Sequence, residues 1–339
     1  MIWTIAVLCF LFHSAFAAIV PFDDWAHLRV DTGNNTVHAR YAGNGPPLML
    51  VHGFPEHSLT WYTIGPILAQ HYTVIAPDLR GMGDSGIPSD YAFDAQSCAQ
   101  DLAFLLNFLK INSTYVFGHD KGTGVTAALV GLYRDNITFP RVGLSEYPLP
   151  GFGYETFQGP TPTWNLYSNW QLAFFSVPDA AQYFIQGRER EMLSWYFFHS
   201  SYSGGEAISQ DLLNRFYTSI SKPGFLRSGL ELFSNPNVHK DAIFFNSTFR
   251  PRPMEMPVLA LGGEASFGSR DLLRSSFSPA AKDLTVDIVP KAGHWIADEN
   301  PEWVANRLLQ FFGQSNASVP VVDLSYLDNT VTLQTIPIY

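Results

Sequence analysis

Short apolar runs separated by turns recur along the first half of the chain. "PLMLVHG" (47–53), "YTVIAPD" (72–78), "TYVFGHD" (114–120) and "RVGLSEY" (141–147) each place a continuous apolar stretch ahead of loop residues. Continuous rather than alternating hydrophobicity predicts strands buried on both faces, as in a parallel sheet. Between them, "FDAQSCAQDLAFLLNFL" and "KGTGVTAALVGLY" carry apolar residues at helical spacing, which predicts crossover helices. The rhythm returns late, with "PVLALGG" (257–263), "TVDIVP" (285–290) and a closing helix, "PEWVANRLLQFF". This alternation predicts an α/β fold: a mostly parallel central sheet with helices on both faces.

The pattern changes between 148 and 245. A Pro/Gly-rich stretch, "PLPGFGYETFQGPTPTW", leads into helical, aromatic-rich segments: "SNWQLAFFSVPDAAQYFIQGRERE", "MLSWYFFHSSY" and "AISQDLLNRFYTSI". A helical block inserted into a parallel sheet predicts a lid over the strand carboxyl ends. The core then falls in two parts, 18–147 and 246–313, around a lid at 148–245. The last stretch, 314–339, is polar and β-prone and has no assigned role.

Composition narrows the partners. At 46% hydrophobic and 15% charged, the 339 residues can bury a large core. The net charge is −10 with no basic run, which argues against nucleic acid. The start, "MIWTIAVLCFLFHSAFA", reads as a signal peptide over 1–17, although no Lys or Arg precedes its apolar run. That run is shorter than the ~18–20 residues of a membrane helix, so no stable membrane span is expected. N-x-S/T sequons at Asn34, Asn112, Asn136, Asn246 and Asn316 fit a secreted glycoprotein. With Cys9 in the signal segment, Cys98 is left alone in a helix pattern, and no disulfide framework exists.

The chemistry concentrates in "VFGHDKGTG" (116–124), where Asp120 sits with glycine two residues to either side, between a strand and a helix. That is the spacing of a nucleophile elbow, but with a carboxylate as nucleophile. A carboxylate is ionised near neutral pH and needs no base to attack. It suits displacement at carbon and leaves an ester that water can hydrolyse. The bland alternative is an aspartate capping the helix. "HGFP" (52–55), "DLRGMGDSG" (78–86) and "GHW" (293–295) follow other strands in turn.

With these motifs in this order, the chain resembles the α/β-hydrolase family over about residues 25–313. Within it, the resemblance is to the epoxide hydrolase and haloalkanoate dehalogenase branch, which carries an aspartate at the elbow. The resemblance implies Asp120 as nucleophile and His294 as the base that activates water against the resulting ester. The acid orienting His294 is Glu146 or Asp271, with Glu146 favoured by "SEYPLP" and Glu264 a third option. The backbone N–H groups of Phe54 and Lys121 are the expected oxyanion donors. His52 braces that turn, His119 is structural, and Arg80 and Asp84 form a local ion pair.

Relatives in this branch present two lid donors to an epoxide oxygen. Here Trp170-Gln171 and Leu232-Phe233 stand at those places, and Phe233 has no donor. Tyr167, Tyr196, Tyr202 and Tyr217 are alternative donors. A dehalogenase would carry a tryptophan or an arginine after the nucleophile, where this chain has Lys121. The expectation is therefore an epoxide hydrolase acting on a small hydrophobic substrate without metal or organic cofactor. The alternatives are a haloacid dehalogenase with the same triad, and an idle scaffold that binds a small apolar ligand.

Overall fold

The structure, a computed structural model, describes residues 19–157, 166–315 and 318–327, and for 166–168 the backbone alone. Residues 1–17, expected to be a signal peptide, the sequon at Asn316 and the outer tail lie outside the described residues. The strands are β1 (Ala26–Asp31), β2 (Thr36–Ala42), β3 (Pro47–Val51), β4 (Thr73–Pro77), β5 (Tyr115–His119), β6 (Val142–Ser145), β7 (Met254–Gly263) and β8 (Ala281–Val289). They form one sheet in the order β1-β2-β4-β3-β5-β6-β7-β8. Pairing is parallel from β4 through β8, while β2 runs antiparallel to both β1 and β4.

The all-apolar runs became the sheet centre. Leu48, Met49, Leu50 and Val51 of β3 and Val116 and Phe117 of β5 are sealed from solvent on both faces. The antiparallel edge was not anticipated. In β1 only Leu28 and Val30 are buried, alternating with exposed Arg29 and Asp31, because an edge ribbon covers one face alone.

The helices are α1 (Ile64–Leu68), α2 (Ala95–Phe108), α3 (Lys121–Tyr133), α4 (Leu166–Phe175), α5 (Pro178–Ile185), α6 (Glu189–His199), α7 (Gln210–Ile220), α8 (Phe225–Glu231), α9 (Asn235–Phe249), α10 (Arg270–Phe277), α11 (Ile296–Glu299) and α12 (Pro301–Gly313). The carboxylate of Asp94 caps α2 by accepting from the Ser97 N–H at 3.0 Å. Helices α4 to α8 form the lid. The expected lid boundary at 245 falls inside α9, which packs on α3, with Phe245 against Gly124 and Phe249 against Gly131. Helix α9 thus belongs to the core layer, and the lid ends near 234.

The described part of the tail, 318–327, forms no strand despite its β-prone composition. It lies against the core through buried Val319, Leu324 and Leu327, with Lys110 over the Tyr326 ring at 5.2 Å. Among the described residues no helix is long and apolar enough to cross a membrane.

Candidate active site

The strand order reverses beside β3, which has β4 on one side and β5 on the other. Loops leaving the carboxyl ends of β3 and β5 therefore diverge and open a crevice, the usual ligand position in such sheets. Asp120 follows β5 and precedes α3 with φ 49° and ψ −130°, a strained conformation for a residue with a Cβ. Its neighbours must be small. A Cβ on Gly122 would lie 2.3 Å from the Val51 carbonyl oxygen, and one on Gly53 would lie 2.3 Å from Asp120 Oδ1. Gly122→Ala is expected to lower stability by about 3 kcal/mol, because the clash is with sheet backbone that cannot rotate away. Urea denaturation measures this, and a loss below about 1 kcal/mol would contradict so rigid an elbow.

The Asp120 carboxylate is held from the sheet side. Phe54 N–H donates to its Oδ1 at 2.9 Å, and the backbone N–H of Lys121 also donates to the carboxylate. Burial would raise its pKa, but His294 and these N–H groups hold it below the usual carboxylate range. The Asp120 carboxylate is thus ionised at neutral pH. The donors expected to form an oxyanion hole already converge on this group.

His294 Nε2 lies 3.5 Å from Asp120 Oδ2, and its Nδ1 lies 2.8 Å from Glu146 Oε2. Glu146 follows β6 with φ 57°, and its other contacts fix the carboxylate. Gly263 N–H donates to Oε1 and the Ser266 hydroxyl to Oε2, each at 2.6 Å. Of the acids considered, only Glu146 reaches His294. The Asp271 side chain is 97% exposed, beside Arg274, and Glu264 accepts from Lys291 N–H.

Burial disfavours a charged imidazole, but Asp120 and Glu146 outweigh it and raise the His294 pKa to about 10. The two carboxylates that flank His294 thus favour its imidazolium form. Neutralising the Asp120 carboxylate would remove one of the two charges that raise its pKa.

The loop carrying His294 is tied to the lid. His294 N–H donates to the Ser200 carbonyl at 2.6 Å. The Glu299 carboxylate accepts from Gly293 N–H on one oxygen and from the Tyr202 and Ser203 N–H groups on the other.

Asp120, Glu146 and His294 open onto a cavity of about 420 Å³ under the lid. Gln171 and Phe233 line it, as expected of lid residues. Trp170 does not: it turns outward and packs on Trp195 and Phe174. Adjacent residues on a helix point about 100° apart, so α4 can aim only one of the pair inward. Tyr196 lines the cavity, whereas Tyr202 and Tyr217 do not, and the Tyr167 side chain lies outside the described residues.

His52 accepts from Leu79 N–H on Nε2 and donates from Nδ1 to the Gly53 carbonyl, bracing one turn on the other. His119 meets the Ser145 hydroxyl, and burial pushes its pKa down to about 3. Arg80 and Asp84 do not pair. Arg80 is drawn to Asp101 at 2.8 Å inside the core, while Asp84 meets Lys222 of the lid. Among the sequons, Asn112 and Asn136 are exposed. The Asn34 amide donates to Asp90, and that of Asn246 donates to Ala242 within α9 and lies beside Gly151.

Sequence reasoning missed three residues. Tyr147 and Tyr154 line the cavity and accept hydrogen bonds from Lys121 Nζ. Their signal was a lysine placed to be buried beside the elbow, which must find acceptors nearby. Glu56, directly after "HGFP", is buried, and burial raises its carboxyl pKa to about 7 within range of the His294 and Asp120 charges.

Residues 46–138 match the family described as the alpha/beta hydrolase fold. The chain is 29% identical over 277 residues to a soluble epoxide hydrolase of Corynebacterium sp. strain C12, covering 81% of this chain and 93% of that protein. It is 36% identical over 114 residues to a fluoroacetate dehalogenase of a Burkholderia species, covering 32% of this chain and 38% of that one. Among solved structures, Cfl2 of Burkholderia cenocepacia superposes with a TM-score of 0.78 at 27% identity, covering 84% of this chain and 95% of Cfl2. Fold and sequence likeness agree: the chain has the α/β-hydrolase fold, and its sequence is similar to epoxide hydrolases and to a fluoroacetate dehalogenase.

Proposed function

We propose that the protein hydrolyses epoxides in two steps through an alkyl ester on Asp120. One observation carries this reading: backbone N–H groups hold the Asp120 carboxylate from behind, and its other oxygen faces His294 on the cavity wall. In the first step that carboxylate displaces the epoxide oxygen from carbon. The cavity offers the Tyr147, Tyr154 and Tyr196 hydroxyls and the Gln171 amide to receive the departing oxygen, so the absence of a hydroxyl at Phe233 is no obstacle. In the second step His294, oriented by Glu146, takes a proton from water as it attacks the Asp120 carbonyl carbon. The Phe54 and Lys121 N–H groups then hold the oxyanion.

Dehalogenation of a haloacid fits less well. The Lys121 ammonium is enclosed by aromatic side chains and is not on the cavity wall, so it cannot clamp a substrate carboxylate directly.

Oxygen isotope tracing tests the ester. In a single turnover in ¹⁸O-labelled water, label is expected in the Asp120 side chain and not in the diol, as read by peptide mass spectrometry. Label in the first-turnover diol would mean direct attack by water, and the ester reading would fail.

A further inference from the structure

Lys121 is buried directly beside the nucleophile and yet does not line the cavity. Its ammonium donates to Tyr147 Oη at 3.0 Å and Tyr154 Oη at 3.2 Å. It also lies 4.2 Å from the ring centroid of Phe233, 4.5 Å from that of Tyr154 and 4.6 Å from that of Tyr147. An ammonium only donates, so the hydroxyl lone pairs are turned to Lys121 and their protons away from it. Both tyrosines line the same cavity as Asp120.

We propose that Lys121 is the proton source for the leaving oxygen, passing its proton through the Tyr147 hydroxyl while Tyr154 holds the same ammonium from a second side. This rests on the alkyl-ester reading. As the Asp120 oxygen forms its bond to carbon, the carbon–oxygen bond of the epoxide breaks and its electron pair stays on the oxygen. That oxygen takes the Tyr147 hydroxyl proton, and Tyr147 takes one from Lys121 Nζ, leaving a neutral amine. In hydrolysis, one proton of water passes through His294 to the departing alkoxide. The other remains on the regenerated Asp120 carboxyl group and returns to Lys121. In this scheme Tyr147 touches the substrate, and Lys121 acts through it as a positioning residue.

The surroundings suit this transfer. Burial lowers the Lys121 pKa to about 8, opposed by the charges of Asp120 and of Asp241 on α9. Burial holds Tyr147 well above its ordinary range, so it relays a proton without remaining ionised. Asp241 accepts from Ala95 N–H, has Asp94 and Lys240 nearby, and is itself raised by burial to about 7. From the lid, Phe233 presents only an apolar ring.

The test uses the full chain carrying His294→Gln, in which the ester accumulates and alkylation can be timed by intact mass. The probes are styrene oxide and 1,2-epoxyhexane between roughly pH 6 and 10, the window around the lysine. Alkylation is expected to slow as pH rises past the Lys121 pKa. Adding Lys121→Met should slow it roughly 100-fold near neutrality and abolish the pH dependence. Adding Tyr147→Phe instead, which keeps both ring and lysine, should give a similar loss and guards against misfolding of the methionine variant. Alkylation within about threefold of the parent in both variants, or an alkaline fall that persists without Lys121, would overturn the relay. No adduct from either epoxide in the parent would instead defeat the ester reading, and the relay with it.

Discussion

A His294→Gln protein mixed with a reactive epoxide is expected to gain the whole mass of that epoxide and keep it. The nucleophile of the first step is the Asp120 carboxylate, already ionised, which His294 helps to stabilise but does not deprotonate. The second step needs a proton acceptor near the ester carbonyl. Glutamine fills the space without supplying that acceptor. Steady-state turnover should fall by roughly 10³-fold or more, with the adduct located on Asp120 by peptide mapping. A haloacid substrate would leave a smaller adduct, lacking the halide. Continued turnover with no adduct would show that His294 is not the base for ester hydrolysis.

Asp120→Asn is expected to remove turnover by roughly 10⁴-fold or more, because a neutral amide oxygen is a poor nucleophile toward saturated carbon. The shapes of the two side chains match, so the fold should persist. The substitution also has an electrostatic signature. His294 carries a raised pKa because two carboxylates face it, and neutralising one of them must lower that pKa. Titration of the imidazole by NMR should therefore shift to lower pH in the asparagine variant. An unchanged titration would mean that Asp120 and His294 are not electrostatically linked at 3.5 Å.

The legible parts of this protein were those specified by short spans of chain. Strands β3 and β5 announce themselves because burial on both faces demands an unbroken apolar run. The elbow is legible because a strained residue needs small neighbours at fixed distances along the chain. Glu146 was distinguishable from Asp271 only by local motif, and the structure places Asp271 at the surface. The lid resisted the same reasoning, since which of Trp170 and Gln171 faces the cavity depends on how α4 is rotated against α6. The contacts of Lys121 with Tyr147 and Tyr154 were hidden for a related cause. They join residues 26 and 33 positions apart, and no periodicity within one element encodes them.

The bonds joining the His294 loop to the lid have a mechanical consequence. Ser200 holds the backbone of His294 itself, and Glu299 holds both sides of the junction. An outward swing of the segment after α6 would break these bonds or carry the imidazole away from Asp120. With the bonds intact, the segment after α6 and the His294 loop are held as one unit. If the proposed ester forms on Asp120, the imidazole that serves its hydrolysis would stand in place only while that segment stays closed on the cavity.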